Sequence, residues 1–231
     1  MDFTNNTQLK VLKQLGPLIN RIVDYFPKKF TTLLKRIGEF SYWFKRMRTE
    51  GKNAFLKPDS LNFIFQKYCK ILEITTDIFA DKVVIDIGCG PRGSLHHFNG
   101  KTKIGIDPLA RVYEIFFDVH KQDMIYVNSK AEKMPIKNNF ADFIISENAL
   151  DHVESFDNVI KEIHRVLKSG GKLISQISLN TRKTITEPTT YTYEFIEQNL
   201  KRYFTLEKIK KHSTQYHNID FSESVLIVAR K

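Results

Sequence analysis

Cysteine is nearly absent: 231 residues contain two. Cys69 and Cys89 lack the paired spacing of zinc ligands, which points away from a disulfide framework or a structural metal centre. Long apolar runs are missing too. None approaches the roughly 20 residues that span a bilayer. The N-terminus is polar and has no apolar leader segment. These features predict a cytoplasmic, reducing environment. Low-complexity tracts and internal repeats are also lacking, which excludes solenoids. Acidic residues are scarce at one end only. Residues 1–57 carry 12 Lys or Arg against 4 Asp or Glu, whereas residues 58–231 carry 24 against 22. The net charge of +10 is therefore mostly N-terminal, and the rest of the chain is close to neutral.

A 42% apolar content is enough for a real core. Val83-Val84-Ile85-Asp86-Ile87 is a short β-branched run of the kind buried in parallel sheets. It carries an acid near its end and runs into Gly88-Cys89-Gly90-Pro91-Arg92-Gly93, then Ser94, a helix-capping residue. Glycines here let the backbone take positive φ and let a ligand approach without a Cβ in the way. Backbone N–H groups at a helix start would face that ligand. The arrangement predicts a nucleotide-type site at the carboxyl end of the first strand of an open α/β sheet.

G-x-G-x-x-G alone does not choose the nucleotide. Asp86, two residues before the first glycine, would repel a pyrophosphate but suits a ligand carrying an ammonium and a sulfonium. No substantial second domain follows the sheet to hold a dehydrogenase substrate. Asp86-Ile87-Gly88-Cys89-Gly90 resembles the first motif of class I S-adenosylmethionine-dependent methyltransferases. More narrowly, Asp-Ile-Gly-Cys-Gly-Pro-Arg-Gly-Ser-Leu, Ile-Asp-Pro-Leu and Asn-Ala-Leu-Asp-His-Val resemble bacterial methyltransferases of the type 11 kind, from polysaccharide or small-molecule biosynthesis.

From residue 82 strands and helices alternate, which predicts parallel βαβ units. Strand two runs from Thr102 to Asp107. Asp107, about 20 residues after the glycine turn and followed by Pro108, is placed to accept both ribose hydroxyls. A helix over 111–117, a strand from Met124 to Val127 and a strand from Phe140 to Ser146 follow. Ser155 or Asp157 caps a helix that Gly170-Gly171 is expected to end. A strand from Lys172 to Ser178, a helix near Tyr193–Leu200 and strands at Phe204–Lys210 and Val225–Ala229 complete the pattern. The resemblance implies a Rossmann-like, doubly wound, seven-stranded, mostly parallel sheet with an antiparallel last strand. It also implies S-adenosylmethionine as cofactor, held by Asp86, Gly88, Cys89, Gly90, Gly93, Asp107 and Pro108. Backbone near Ala131 and Glu132 would meet the adenine edge, and Glu147 or Asn148 the methionine part. Lys130 departs from the pattern, standing where an acid often accepts the adenine amino group.

Residues 1–57 are expected to form a basic helical extension and residues 58–231 the methyltransferase domain. Over 8–37, Leu12, Leu15, Ile19, Ile22, Val23 and Phe26 recur at helical spacing. Gly16-Pro17 and Pro27 should break this stretch into two or three short helices. Such a basic amphipathic segment packs on the domain or, as the lesser expectation, touches an anionic membrane surface. Tyr42 and Trp43, in an aromatic stretch before the fold, are candidates for lining the substrate site. Ser60 looks like an N-cap for a helix striped by Leu61, Ile64, Phe65, Tyr68, Ile71 and Leu72.

Methyl transfer from a sulfonium needs alignment and exclusion of water more than acid or base. For a hydroxyl acceptor a base helps, and His152 is the candidate, with Asp151 or Glu187 orienting it or sharing the role. No metal site is expected, and His96-His97 lack metal spacing. The expected partner is a small-molecule methyl acceptor such as a sugar. The basic extension prompts a competing expectation of RNA or protein methylation, but the strand-four region lacks an Asn/Asp-Pro-Pro-aromatic motif and no RNA-binding module is visible. A cofactor-binding, non-catalytic partner is the third alternative.

Overall fold

The runs Val83–Ile87, Thr102–Asp107 and Ala141–Glu147 become buried strands because the helices between them cover both faces of the sheet, whereas the edge strand Ile125–Asn128 stays partly exposed. The structure, a computed structural model, describes residues 28–51, 68–93, 95, 99–119, 123–179, 190–216 and 220–231, apart from the side chains of 28–30 and 214–222. In chain order the elements are α1 (Lys28–Glu50), β1 (Val83–Ile87), β2 (Thr102–Asp107), α2 (Ala110–Phe116), β3 (Ile125–Asn128) and β4 (Ala141–Glu147). They continue with α3 (Phe156–Val166), β5 (Leu167–Ser178), α4 (Tyr193–Lys201), β6 (Thr205–Tyr216) and β7 (Asp220–Arg230). Ser60, Ser94, His96, His97, Glu187 and residues 8–27 lie outside the described residues.

The seven strands lie in the order β3-β2-β1-β4-β5-β7-β6. β1 to β5 run parallel, and β7 is antiparallel to both β5 and β6, as expected from the resemblance. Asp86 pairs with Gly105 on one side and Ile145 on the other. The chain thus builds outward from β1 through β2 to β3, then returns to place β4 on the opposite flank. The crevice at such a switch point, outside the carboxyl ends of the strands, is where ligands sit.

Alternation along the strands sends residues to two cores. Ile85, Ile87, Ile104, Ile106 and Ile144 join the face covered by α3 and α4. Val84, Phe143, Ile145 and Ile174 face Tyr68, Cys69, Leu72 and Phe79. α3 is capped by Ser155, whose Oγ accepts from the Asn158 N–H at 3.4 Å. It presents Val159, Ile160, Ile163 and Val166 inward. Gly170 and Gly171 do not end this helix. It stops at Val166 because Leu167 is already extended, buried and paired with Ala141. The glycines lie instead in the irregular stretch before Lys172 pairs with Phe143, with Gly170 at φ +76° and its N–H on the carbonyl of Lys231.

α1 is a single 23-residue helix, running unbroken through Gly38. Of the stretch 8–37 only its last ten residues are described, and they form the first part of α1. Its apolar face packs on the domain. Phe40, Trp43, Phe44 and Met47 lie against Leu109, Tyr113 and Phe117. The Phe40 ring meets Phe116 and Phe117 edge-on at 5.3 and 6.1 Å. No helix among the described residues is long and apolar enough to cross a membrane.

Ile144 is fully buried in the strand between β1 and β5, opposite Ile85 and Leu173. Ile144→Ala should lower the unfolding free energy by about 3 kcal/mol. Urea titration should show a reduced midpoint at unchanged m-value; a loss below about 1 kcal/mol would contradict this placement of the core.

Candidate active site

Gly88, Cys89, Gly90 and Gly93 form the turn leaving β1. Gly88 has φ +71°, and a Cβ there would lie 2.2 Å from the Cβ of Ala149. Its N–H donates to the Ile106 carbonyl at 2.8 Å. Gly90 has φ +56°, and its missing Cβ leaves space against the Trp43 indole, 3.0 Å from Cζ2. Gly93 closes the turn by donating to the Cys89 carbonyl at 2.9 Å. Both backbone conformation and close approach therefore require glycine at 88 and 90.

Asp107 stands at the end of β2, nearly buried, and accepts from the N–H groups of Gly90 at 3.1 Å and Leu109 at 2.8 Å. Burial pushes its carboxyl up to about 6, against the pull of those two donors, and the negative Glu39 adds to the rise. Asp86 is also buried. The Cys89 thiol is held well above its ordinary value by burial and then by the charges of Asp107 and Asp86. It stays protonated and is not a nucleophile.

A second cluster lies beyond the end of β4. Asp151 is fully buried, and the hydroxyl and backbone N–H of Ser178 favour its charged form. The nearest charge partner is His152, with Nε2 at 3.8 Å from Oδ1. Burial raises the Asp151 carboxyl, and His152 offsets part of that rise. His152 Nδ1 lies 3.2 Å from Glu39 Oε1, and Lys35 Nζ donates to the His152 carbonyl. Nearby, Glu132 accepts from the Glu154 N–H at 2.8 Å, and Lys130 pairs with Glu154 at 2.5 Å. Lys130, the residue out of pattern, is thus tied to the neighbouring connection.

Helix α1 joins the clusters by crossing the strand ends. Lys35 and Glu39 reach His152, and Trp43 covers Gly90. Further along, Glu50 Oε2 pairs with the buried Arg92 at 2.6 Å. Of the two aromatic candidates, Trp43 faces the glycine turn, whereas Tyr42 is 53% exposed and lies beside Arg46. Glu147 faces the second core, where its charge contributes to raising the Cys69 thiol to about 12, behind the larger effect of burial. Asn148, at φ +50°, meets Ser178 at 2.6 Å through its side chain. Sequence reading missed Lys35 and Glu39. Their signal was the spacing Lys35, Glu39, Trp43, which places all three on one helix face.

These residues fit a cationic sulfonium nucleoside. The glycine turn stays open only because Gly88 and Gly90 carry no Cβ against Ala149 and Trp43, and Asp86 and Asp151 are buried carboxylates suited to positive charge. Asp107 stands where ribose hydroxyls would be accepted.

Residues 85–175 match the family model described as a methyltransferase domain. The chain is 26% identical over 152 residues to a malonyl-[acyl-carrier protein] O-methyltransferase of Hamiltonella defensa, covering 64% of this chain and 57% of that one. It is 33% identical over 75 residues to a ubiquinone/menaquinone biosynthesis C-methyltransferase of Haemophilus ducreyi, covering 32% and 28%. It thus spans little more than half of the first relative and under a third of the second. An S-adenosylmethionine-dependent methyltransferase from Mesorhizobium loti superposes with TM-score 0.54 at 15% identity, covering 66% of this chain and 92% of that one. The fold is a Rossmann-like domain with a glycine turn and two buried acids at its carboxyl edge. Residues 85–175 are thus similar to a methyltransferase domain, and the fold is that of solved S-adenosylmethionine-dependent methyltransferases.

Two outcomes test the site. A carboxyl whose pKa is higher folded than unfolded binds its proton more tightly when folded, so the stability Asp107 contributes is full below about pH 4 and lost as pH rises through about 6. Cofactor binding needs the ionised form, so calorimetric affinity for S-adenosylhomocysteine should rise about tenfold from pH 5 to 7. In Asp107→Asn it should be weak and flat; equal pH dependence in both proteins would contradict the assignment. Trp43 is the only tryptophan, so its fluorescence should change saturably as S-adenosylhomocysteine is added. An unaltered spectrum at saturating ligand would show that the indole does not cover the cofactor site.

Proposed function

We propose that this protein transfers the methyl group of S-adenosylmethionine to an oxygen atom of a small molecule such as a sugar or related metabolite, with His152 as general base. The observation that carries the reading is the placement of His152 beneath α1, beside buried Asp151 and held by Glu39 at 3.2 Å. S-adenosylmethionine, when bound, supplies an electrophilic methyl on a sulfonium, which leaves as a neutral thioether. With the cofactor bound, Nε2 of His152, which is buried beside Asp151, would take the proton of the acceptor hydroxyl as its oxygen bonds to the methyl carbon and the carbon–sulfur bond breaks. Asp151 steadies the imidazolium that results. Trp43 and α1 exclude water and confine the acceptor, which favours a small molecule over a folded nucleic acid. The relatives include both an O-methyltransferase and a C-methyltransferase, so the choice of oxygen rests on His152 as base.

The test supplies purified protein with methyl-labelled S-adenosylmethionine and a panel of sugars, hydroxyquinones, sterols and acyl carboxylates. Labelled ether or ester is expected. Label on carbon or nitrogen, or cofactor binding with no transfer at all, would contradict the reading. With the accepted substrate, His152→Ala should lower kcat about 100-fold while cofactor affinity stays within about twofold.

A further inference from the structure

α1 carries two acidic side chains, Glu39 and Glu50, and both turn inward. Glu50 pairs with Arg92, a fixed cation. Glu39 instead meets an imidazole, a group that changes charge near neutral pH. One turn earlier, Lys35 donates to the carbonyl of the same His152. One helix face therefore grips this residue twice, once by its backbone and once by its ring.

We infer that Glu39 is a positioning residue for His152: its carboxylate accepts Nδ1–H, fixes that tautomer, and so leaves the Nε2 lone pair as the proton acceptor. The inference rests on the reading of His152 as base. It makes α1 a working part of the active site and not only a cover. Two-point attachment fixes the ring's position, and the hydrogen bond fixes which nitrogen carries the proton. The charges acting on this ring come from two elements: α1 offers Glu39 and Lys35, and the β4–α3 connection offers Asp151. Glu132 and Glu154 act on Lys35 instead, and Lys130 is paired with Glu154. Burial opposes the imidazolium and Lys35 repels it, but the Glu39 hydrogen bond and the Asp151 charge prevail, so His152 titrates above its ordinary value. The base is thereby strengthened, and it must be neutral to act, so activity should rise with pH through that raised midpoint.

The test is a ¹⁵N NMR pH titration of the imidazoles in the full chain, with His152→Gln to assign the signal. The neutral form of His152 should carry its proton on Nδ1, with a midpoint above about 6.5. Glu39→Gln keeps an acceptor oxygen and removes the charge. It should lower the midpoint by about half to one pH unit, with thermal unfolding unchanged. With an acceptor from the labelled panel, the acid limb of kcat against pH should shift by the same amount while KM for S-adenosylmethionine stays fixed. A proton on Nε2 in the wild type, or a midpoint indifferent to Glu39→Gln, would overturn the inference. The titration reads the Glu39–His152 link without turnover. If no methyl is transferred but the midpoint moves, the proposed reaction falls and the contact stands; if methyl is transferred but the midpoint stays, the inference falls alone.

Discussion

The carboxylate of Asp107 ties two strand ends together. By accepting from the N–H groups of Gly90 and Leu109 it locks the glycine turn after β1 against the start of α2. Charge-assisted hydrogen bonds of this kind offset the penalty of burying a carboxylate. Here they lie beside the switch point, where β1 is flanked by β2 and β4. The same oxygens are the ones a ribose would need. Structural and binding roles thus compete for one carboxylate, and its raised pKa reflects the desolvation that both require.

Around that anchor, α1 supplies what the open sheet lacks. A doubly wound sheet leaves its ligand crevice exposed at the strand ends. Here a helix upstream of β1 crosses those ends, with Trp43 over the turn, Glu39 and Lys35 on His152, and Glu50 on Arg92. Its docking comes from aromatic packing on α2 and from ion pairs. In the proposed reaction, water exclusion and positioning of His152 would both rest on this one contact.

Much of the fold was legible because the signals were local. Val83–Ile87 is a β-branched run with an acid next to its end and Thr102–Asp107 ends in one, and the strands occupy 83–87 and 102–107. The cap at Ser155 and the inward stripe from Val159 to Val166 also follow from spacing. Gly170-Gly171 misled because a glycine pair reads as a helix end, whereas the pairing of Leu167 with Ala141 had already pulled the chain into the sheet. That is a tertiary effect without a local trace. The glycine turn and Asp107 were legible for the same reason as the strands. Glu39 was not, because its partner lies 113 positions away in sequence and only the docking of α1 brings them together. Tyr42 and Trp43 read alike as neighbours in an aromatic stretch, but adjacent helical positions point about 100° apart, which sends one to solvent and the other to Gly90.

The central claim is that the acid-tipped first strand, its glycine turn and Asp107 together hold a positively charged methyl donor. A crystal structure of the protein grown with S-adenosylhomocysteine tests it most directly. The account predicts the ligand lying along the Gly88–Gly90 turn, with its ribose hydroxyls on Asp107. A vacant crevice at saturating ligand, or a pyrophosphate-bearing cofactor in its place, would contradict it.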